Sequence, residues 1–466
     1  MIFTKPLAAW VSLSVAFLFL SCATYFQQRA AFQSDFTTGD IEGAQKFLLH
    51  HTNAVKKKDR LLYFLDRGVV EQMLGNYDTS NYYFEKAYFY NQDFKRNLVT
   101  DLSSMVTNPM VRPYKSEDFE MVLVHYYKAI NFLMLNQLDK ALIEVRRINI
   151  NLNEQSDKYE GKRYRYKEDA FAHLLMGAIY ETKNDLNNAF IAYRNAYNTY
   201  QEVYTDFGVL APDQLKKDIL RTASKLGFYS ELEYYQKEFD LEYAPEADST
   251  GSLVFFWLNG LGPVKGEISL NLAKTSGGGG SFVFADSQEG VSVPLVLNNP
   301  NQASDLSDLS FVRMAIPKYD RRDPLIQSAA LIGSDSIYQL QLAESITEIA
   351  IANLEDRILR EIGMTIGRVA LKQAAEAAAR EQNDGLGAAV SFVNALTEKA
   401  DTRNWQTLPA EIHYQRISLK AGAHRIKLQT TSRQWGNDTT ILQVNISPNQ
   451  STFKTFHTLE SSTRRF

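Results

Sequence analysis

Cys22 is the only cysteine in 466 residues, so its thiol has no partner within the chain for a disulfide. It closes the run Leu18-Phe19-Leu20-Ser21-Cys22, behind a lone positive Lys5 and an apolar segment from about Leu7 to Leu20. An exported thiol of this kind is unexplained unless it is modified. A second group of chemical types stands at Asp401, Arg403 and Trp405, with Pro409 and Arg416 following. Residues two apart on an extended chain share a side, so Asp401 and Arg403 form a charge pair with an indole beside it. Such a set could bind a carboxylate or fix a turn.

No other constellation has catalytic or ligating spacing. The histidines at 50, 51, 125, 173, 413, 424 and 457 form no pair with the helical spacing of a zinc motif, and no Gly-x-Ser-x-Gly turn presents a serine. Adjacent carboxylates such as Glu117 with Asp118 and Glu355 with Asp356 fall on helical patterns as solvated faces. The glycine run from Ser276 to Ser281 lacks the Gly-Lys-Ser/Thr ending of a phosphate loop and reads as a flexible loop. A net charge of -4 without a basic stripe excludes a nucleic-acid footprint. The expectation is a protein that is not an enzyme, with no metal and no cofactor.

Ser21-Cys22 after an apolar run resembles the lipobox of bacterial lipoproteins. The resemblance implies that Cys22 is diacylated and becomes the first residue of the mature chain. Ala23, in the following place, leaves delivery to the outer membrane open. The apolar run is shorter than the roughly 20 residues a spanning helix needs, and acyl chains hold a protein at a membrane through about 0.8 kcal/mol per buried methylene. Later in the chain only the Ala-rich stretch near Ala374 to Ala379 approaches a membrane segment, and charges interrupt it.

The elements that must carry these residues fall into four parts: a signal peptide over 1–21, the lipidated cysteine and a tether over 22–35, a helical repeat domain over 36–244, and an α+β domain over 245–466. Within the helical part Gly39 to Ala44 reads as the turn and second helix of a hairpin without its first half. Gly68, Gly75, Tyr77, Phe84 and Ala87 then follow an order of small, turn, aromatic, bulky and small residues that resembles the tetratricopeptide repeat. Ala129, Asp139, Ala141, Val145 and Ile148 repeat it, as do Gly177, Tyr180, Asp185, Ala189, Tyr193 and Ala196. A weaker fourth unit spans Gln214 to Phe239 with Gly227 at its turn. The aromatic stripe from Tyr82 to Tyr90 surrounds most of one helix, as packing or as a partner face. Solenoids of this kind expose a concave groove, here expected to be lined by Gln72, Met73, Tyr126, Met134, Leu174 and Glu181 and to bind a peptide.

Composition turns to turn formers near Pro245 to Gly251, and Leu253 to Leu258 reads as a buried strand ended by Asn259-Gly260. Strands are expected at Ile268 to Leu272, Ser281 to Ala285, Val291 to Leu297 and Leu309 to Ile316. A long amphipathic helix from Leu342 to Arg380 and a shorter one from Ala388 to Leu396 precede terminal strands at Glu411 to Arg416, His424 to Thr430 and Thr440 to Ile446. The fold class is thus a tetratricopeptide-like solenoid followed by an α+β domain, with a long helix between two groups of strands.

The stretch Asp401-Thr402-Arg403-Asn404-Trp405-Gln406-Thr407-Leu408-Pro409, with Ile412, Arg416, Leu419, Gly422 and His424 after it, is similar to a signature in a family of uncharacterised bacterial envelope lipoproteins with amino-terminal tetratricopeptide-like helices. Asn259-Gly260 with Pro263, Met314 to Pro317, and Arg368 before Lys372 agree with that likeness. It implies a lipid-anchored, periplasm-facing protein of the outer membrane, working near cell-wall synthesis, with no assigned reaction. The expected function is a protein-binding adaptor or scaffold with an envelope protein as partner. The alternative is an enzyme or enzyme activator in cell-wall metabolism using the second domain.

Overall fold

The computed structural model describes residues 25–50, 57–98, 112–158, 164–245, 250–278, 281–288, 290–296, 311–333, 336–358, 362, 366 and 400–462. Cys22, the Ala-rich stretch, the helix expected over 388–396, and Arg368 and Lys372 lie outside them. The chain divides into two compact units, residues 1–54 and 55–466. In the first, helices α1 (Tyr25–Thr37) and α2 (Ile41–His50) form a hairpin turned at Gly39, whose φ of 83° suits glycine. Phe32, Phe36, Ala44 and Leu48 are its buried residues. The first half of this hairpin is therefore present, and it occupies most of the stretch expected to be a tether.

The second unit begins with four antiparallel helical hairpins: α3 (Arg60–Met73) with α4 (Tyr77–Leu98), α5 (Asp118–Met134) with α6 (Leu138–Lys158), α7 (Ala170–Thr182) with α8 (Leu186–Glu202), and α9 (Asp213–Leu226) with α10 (Tyr229–Phe239). Each turn passes through one left-handed residue, Gly75, Asn136, Asn184 or Gly227, with φ between 56° and 79°. Only glycine and, less well, asparagine adopt that conformation cheaply. Seven residues before three of these turns stand Gly68, Ala129 and Gly177, where the paired helices meet most closely. A Cβ on Gly68 would lie 2.5 Å from the Phe84 ring, and one on Gly177 2.4 Å from Tyr193. Gly68→Ala and Gly177→Ala are each expected to cost about 1–3 kcal/mol by overpacking, seen as a lowered thermal midpoint. Gly75→Asn, which suits its turn, is expected to cost less.

Among the described residues twelve strands follow in three four-stranded sheets. The first has the order β12-β1-β9-β8, from β1 (Thr250–Asn259), β8 (Gln341–Ser345), β9 (Glu411–Lys420) and β12 (Ser451–Thr458), with β1 and β12 parallel. The second is β11-β10-β6-β7, from β6 (Ile326–Ile332), β7 (Ile337–Gln339), β10 (Gly422–Ser432) and β11 (Gly436–Ile446). The third is β4-β3-β2-β5, from β2 (Val264–Gly278), β3 (Ser281–Asp286), β4 (Val291–Val296) and β5 (Phe311–Asp320). The first two stack face to face. Leu253, Phe255, Trp257 and Ile417 meet Leu331, Ile426, Leu428 and Val444 between them.

The other face of the first sheet lies against the helices: Phe256 meets Phe171 edge to face at 5.5 Å. Strand β1 is thus buried on both faces, which is why Leu253 to Leu258 is continuously apolar rather than alternating. Helix α11 covers residues 346–358. Further along the same stripe, Ile358, Ile362 and Ile366 pack on Leu270, Phe284 and Met314 of the third sheet. Two expectations are corrected here. Leu342 belongs to β8, so the helix starts at 346, and Gly277 and Gly278 pair with Phe282 and Ser281 as part of a hairpin instead of a loose loop.

Candidate functional site

The Asp401 to Pro409 stretch is inserted between the first sheet and the first two hairpins. Asp401 accepts from Arg403 Nε at 2.9 Å and Nη2 at 2.7 Å, and Arg403 Nη1 reaches Asp59 Oδ1 at 3.0 Å and the Lys58 carbonyl at 3.2 Å. The Arg403 side chain is wholly buried, with its guanidinium 5.6 Å from the Tyr114 ring centre. Trp405 packs between Phe84 and Tyr127, with centroids at 5.9 and 5.7 Å, and donates from Nε1 to Thr407 Oγ1 at 2.8 Å. Thr407 donates its own hydroxyl to Asp66 Oδ1 at 2.9 Å. Pro409 is buried beside them. The Arg403 guanidinium is thus occupied by two carboxylates and a carbonyl, an arrangement that fixes the chain and leaves no opening for a ligand carboxylate.

Glu120 sits under this loop. It accepts from the Trp405 backbone N–H at 2.8 Å, the Tyr114 hydroxyl at 2.6 Å and the Glu117 N–H at 3.0 Å. Burial, with the Glu117 charge beside it, pushes its carboxyl up from 4.5 to about 7 against those hydrogen bonds. A folded-state value above the unfolded one gives stability that is complete below about pH 4.5 and lost as pH rises through about 7. Glu120 alone is therefore expected to lower the unfolding free energy by roughly 2–3 kcal/mol between about pH 5 and pH 8. Urea titrations of Glu120→Gln should lack that fall. Glu117, by contrast, is held well below its ordinary range: burial alone would raise it, but Arg357 and Lys265 outweigh burial.

Arg416 does not join Arg403. It lies on β9 and pairs with Glu181 on α7, Nη1 to Oε2 at 2.5 Å, where Arg221 also binds in a fork at 2.8 and 2.9 Å. Asp218 completes the cluster, taking Arg221 at 2.6 Å and the Tyr414 hydroxyl at 2.6 Å. A cleft of about 430 Å³ opens beside it, lined by Glu181, Asn184, Lys225, Ser252, Arg416 and Gln450. A third cluster pairs two acids that form no salt bridge among the described residues: Asp169 accepts from Tyr126 and Tyr166, and Glu344 accepts from Tyr204 at 2.7 Å. Burial pushes both carboxyls up.

These contacts overturn the expected peptide groove. Gln72, Tyr126, Leu174 and Glu181 are buried, while Met73 and Met134 are half-buried at hairpin ends. The reason is that β1, β8, β9 and the 401–409 loop cover the inner face: Tyr200 donates to the Ala343 carbonyl at 2.7 Å, and Lys265 Nζ reaches Glu117 at 2.5 Å. A groove that the chain fills with its own sheet is not open to another peptide. Among the described residues no group of His, Cys, Asp and Glu is placed to hold a metal.

The outer face has an order that the motif reading missed. Seven residues after each left-handed turn stand Tyr82, Ile143, Ile191 and Tyr234, exposed by 54, 50, 36 and 60%. Phe89 and Ile150, a further seven on, are exposed as well. Counting from the turn residue, rather than matching a consensus, is the signal that would have revealed this ladder.

No family model matches the chain, and no curated protein is similar to it. Several solved structures are similar in part. The apo form of RapI matches over 44% of this chain and 65% of its own, with 10% identity and a TM-score of 0.32. BtubC from P. vanneervenii matches over 47% of this chain and 82% of its own, with 11% identity and a TM-score of 0.31. MamA protein matches over 47% and 96%, with 15% identity and a TM-score of 0.28. The chain thus spans less than two thirds of RapI.

Proposed function

We propose that this chain is a lipid-anchored adaptor of the bacterial envelope, acylated at Cys22, facing the periplasm from the outer membrane and binding an envelope protein through its helical hairpins. The observation that carries the adaptor reading is the outer ladder: one apolar side chain left in solvent at the same place in four successive hairpins. A surface of scattered apolar residues needs no explanation, but an aligned row does. The covered inner face moves the expected contact from Gln72, Tyr126 and Leu174 to Tyr82, Ile143, Ile191 and Tyr234. The anchor rests on the sequence alone, on Lys5, the apolar run and Ser21-Cys22.

Detergent-solubilised pull-downs of the full chain test both parts. Changing Tyr82, Ile143, Ile191 and Tyr234 together to serine should reduce a specifically recovered envelope protein by about tenfold or more, with the thermal midpoint kept because these side chains are exposed. Cys22→Ser should shift the chain from the membrane to the soluble fraction. Unchanged recovery by the fourfold variant would sink the ladder, and unchanged fractionation would sink the anchor.

A further inference from the structure

A polar groove of about 410 Å³ runs between the second helices of the middle hairpins. Asn149 and Asn153 line one wall from α6, and Asn195 and Asn198 line the other from α8. Asn153 and Asn198 are exposed and the other two half-buried. Among the described residues none of these four carboxamides has a hydrogen-bond partner. The floor is Leu152, His173 and Thr199, and the His173 Nδ1 is buried there, likewise without a partner. Four carboxamides lining one cleft beside a buried imidazole nitrogen without a partner make a candidate binding arrangement.

We infer that this groove binds an extended polypeptide segment by its main chain. A carboxamide donates and accepts at once, matching the N–H and C=O of one residue. In an extended chain those paired groups return to the same side every second residue, about 6.8 Å apart. Asn149 and Asn153 are four residues apart, a rise of about 6 Å along their helix. Asn195 and Asn198 are set about 4.5 Å apart by the same rise, so the α6 wall presents amides at nearly the repeat of a strand and the α8 wall at a shorter spacing. Glycan is the competing occupant, but sugar faces are held on aromatic rings, and among the described residues no Phe, Tyr or Trp lines this groove. Glu168 and Glu202 at the rim outnumber Lys167, which favours a segment with a lysine or arginine. The groove rests on the adaptor reading and gives it an address.

The test is a phage-displayed random peptide library panned on the full chain in detergent, with the selected peptide resynthesised and its affinity measured by fluorescence polarisation. Asn153→Ala with Asn198→Ala should weaken binding by about tenfold or more without moving the thermal midpoint. N-methylation of alternate peptide amides should do the same, since it removes main-chain donors alone. Equal affinity for the double variant, equal affinity of the methylated peptide, or a panning that returns nothing overturns the groove. Binding of tri-N-acetylchitotriose that the double variant loses overturns it in favour of glycan. A peptide that survives the double variant but is lost with the serine ladder variant overturns the groove while leaving the adaptor reading standing.

Discussion

Glu181→Ala is expected to destabilise the protein by about 3–5 kcal/mol, read from urea unfolding at neutral pH. One carboxylate here serves two guanidiniums: Arg221 at 2.8 and 2.9 Å, Arg416 at 2.5 and 3.2 Å, with the Tyr193 hydroxyl adding 3.1 Å. All four groups are buried. With Asp218 the buried charges cancel, the half-exposed Lys225 lying at the edge 3.8 Å from Glu181, and deleting Glu181 leaves one buried positive charge uncompensated in a medium that penalises it heavily. Glu181→Gln separates charge from shape: it keeps the volume and should still cost most of the loss. The pH dependence carries a sign. Burial alone would raise the Glu181 carboxyl, yet Arg221 and Arg416 overcome burial and hold it well below 4.5. Its contribution is therefore complete above about pH 4.5 and lost as pH falls below that value. The glutamine variant should show a flatter acid limb than the parent. A variant as stable as the parent would mean that the helices and the first sheet are held by apolar contact alone.

How much of this was legible in the sequence depends on what each segment faces. Gly68 with Phe84 and Gly177 with Tyr193 are sixteen residues apart within their hairpins, and local spacing of that kind survives in the sequence because both partners belong to one unit. The four hairpins were readable for that reason. So was β1, where a run apolar on both faces says that something covers each. What covers it was not readable. Ile412, Tyr414 and Arg416 alternate on β9 as in a strand with one solvated face, yet Tyr414 and Arg416 are buried because α7 and α9 bring Glu181 and Asp218 onto them. A polar residue buried by a partner two hundred positions away looks exposed until the fold is known. Strand β12 was missed on the same account: Ser451 to Thr458 is mostly polar, and it is a strand through parallel pairing with β1. At 341–345 the helical spacing of Leu342, Ile346 and Ile349 hid a strand that exists through its pairing with β9. The 401–409 stretch stood out by its composition, and its ion pair was foreseeable at two-residue spacing. Its insertion against Phe84, Tyr127 and Asp59 was not, since all three lie more than two hundred residues upstream.

That insertion makes Trp405→Ala the second large effect, about 3–5 kcal/mol for a fully buried aromatic that leaves a cavity. The indole touches α4 through Phe84 and α5 through Tyr127, while its own backbone N–H ties the loop to Glu120. Trp405→Phe keeps a ring in the site but forfeits the Nε1 bond to Thr407, whose hydroxyl also holds Asp66. It should cost less, about 1–2 kcal/mol beyond the lost ring area. The pattern matters as much as the size. If the loop is what couples the helices to the sheets, Trp405→Ala should speed amide exchange in α3, α4, α5 and residues 403–410 and leave β2 to β5 protected, because the core of the third sheet is Leu270, Phe284, Met314, Ile362 and their neighbours. The parent should unfold in a single transition, since the inner face of the helices is covered by the first sheet and the 401–409 loop. Separation into two transitions in the alanine variant would identify the loop as the coupling element. A parent that already melts in two steps would mean that helices and sheets are stable apart, and that the sheet is a lid which a partner could displace from the inner face.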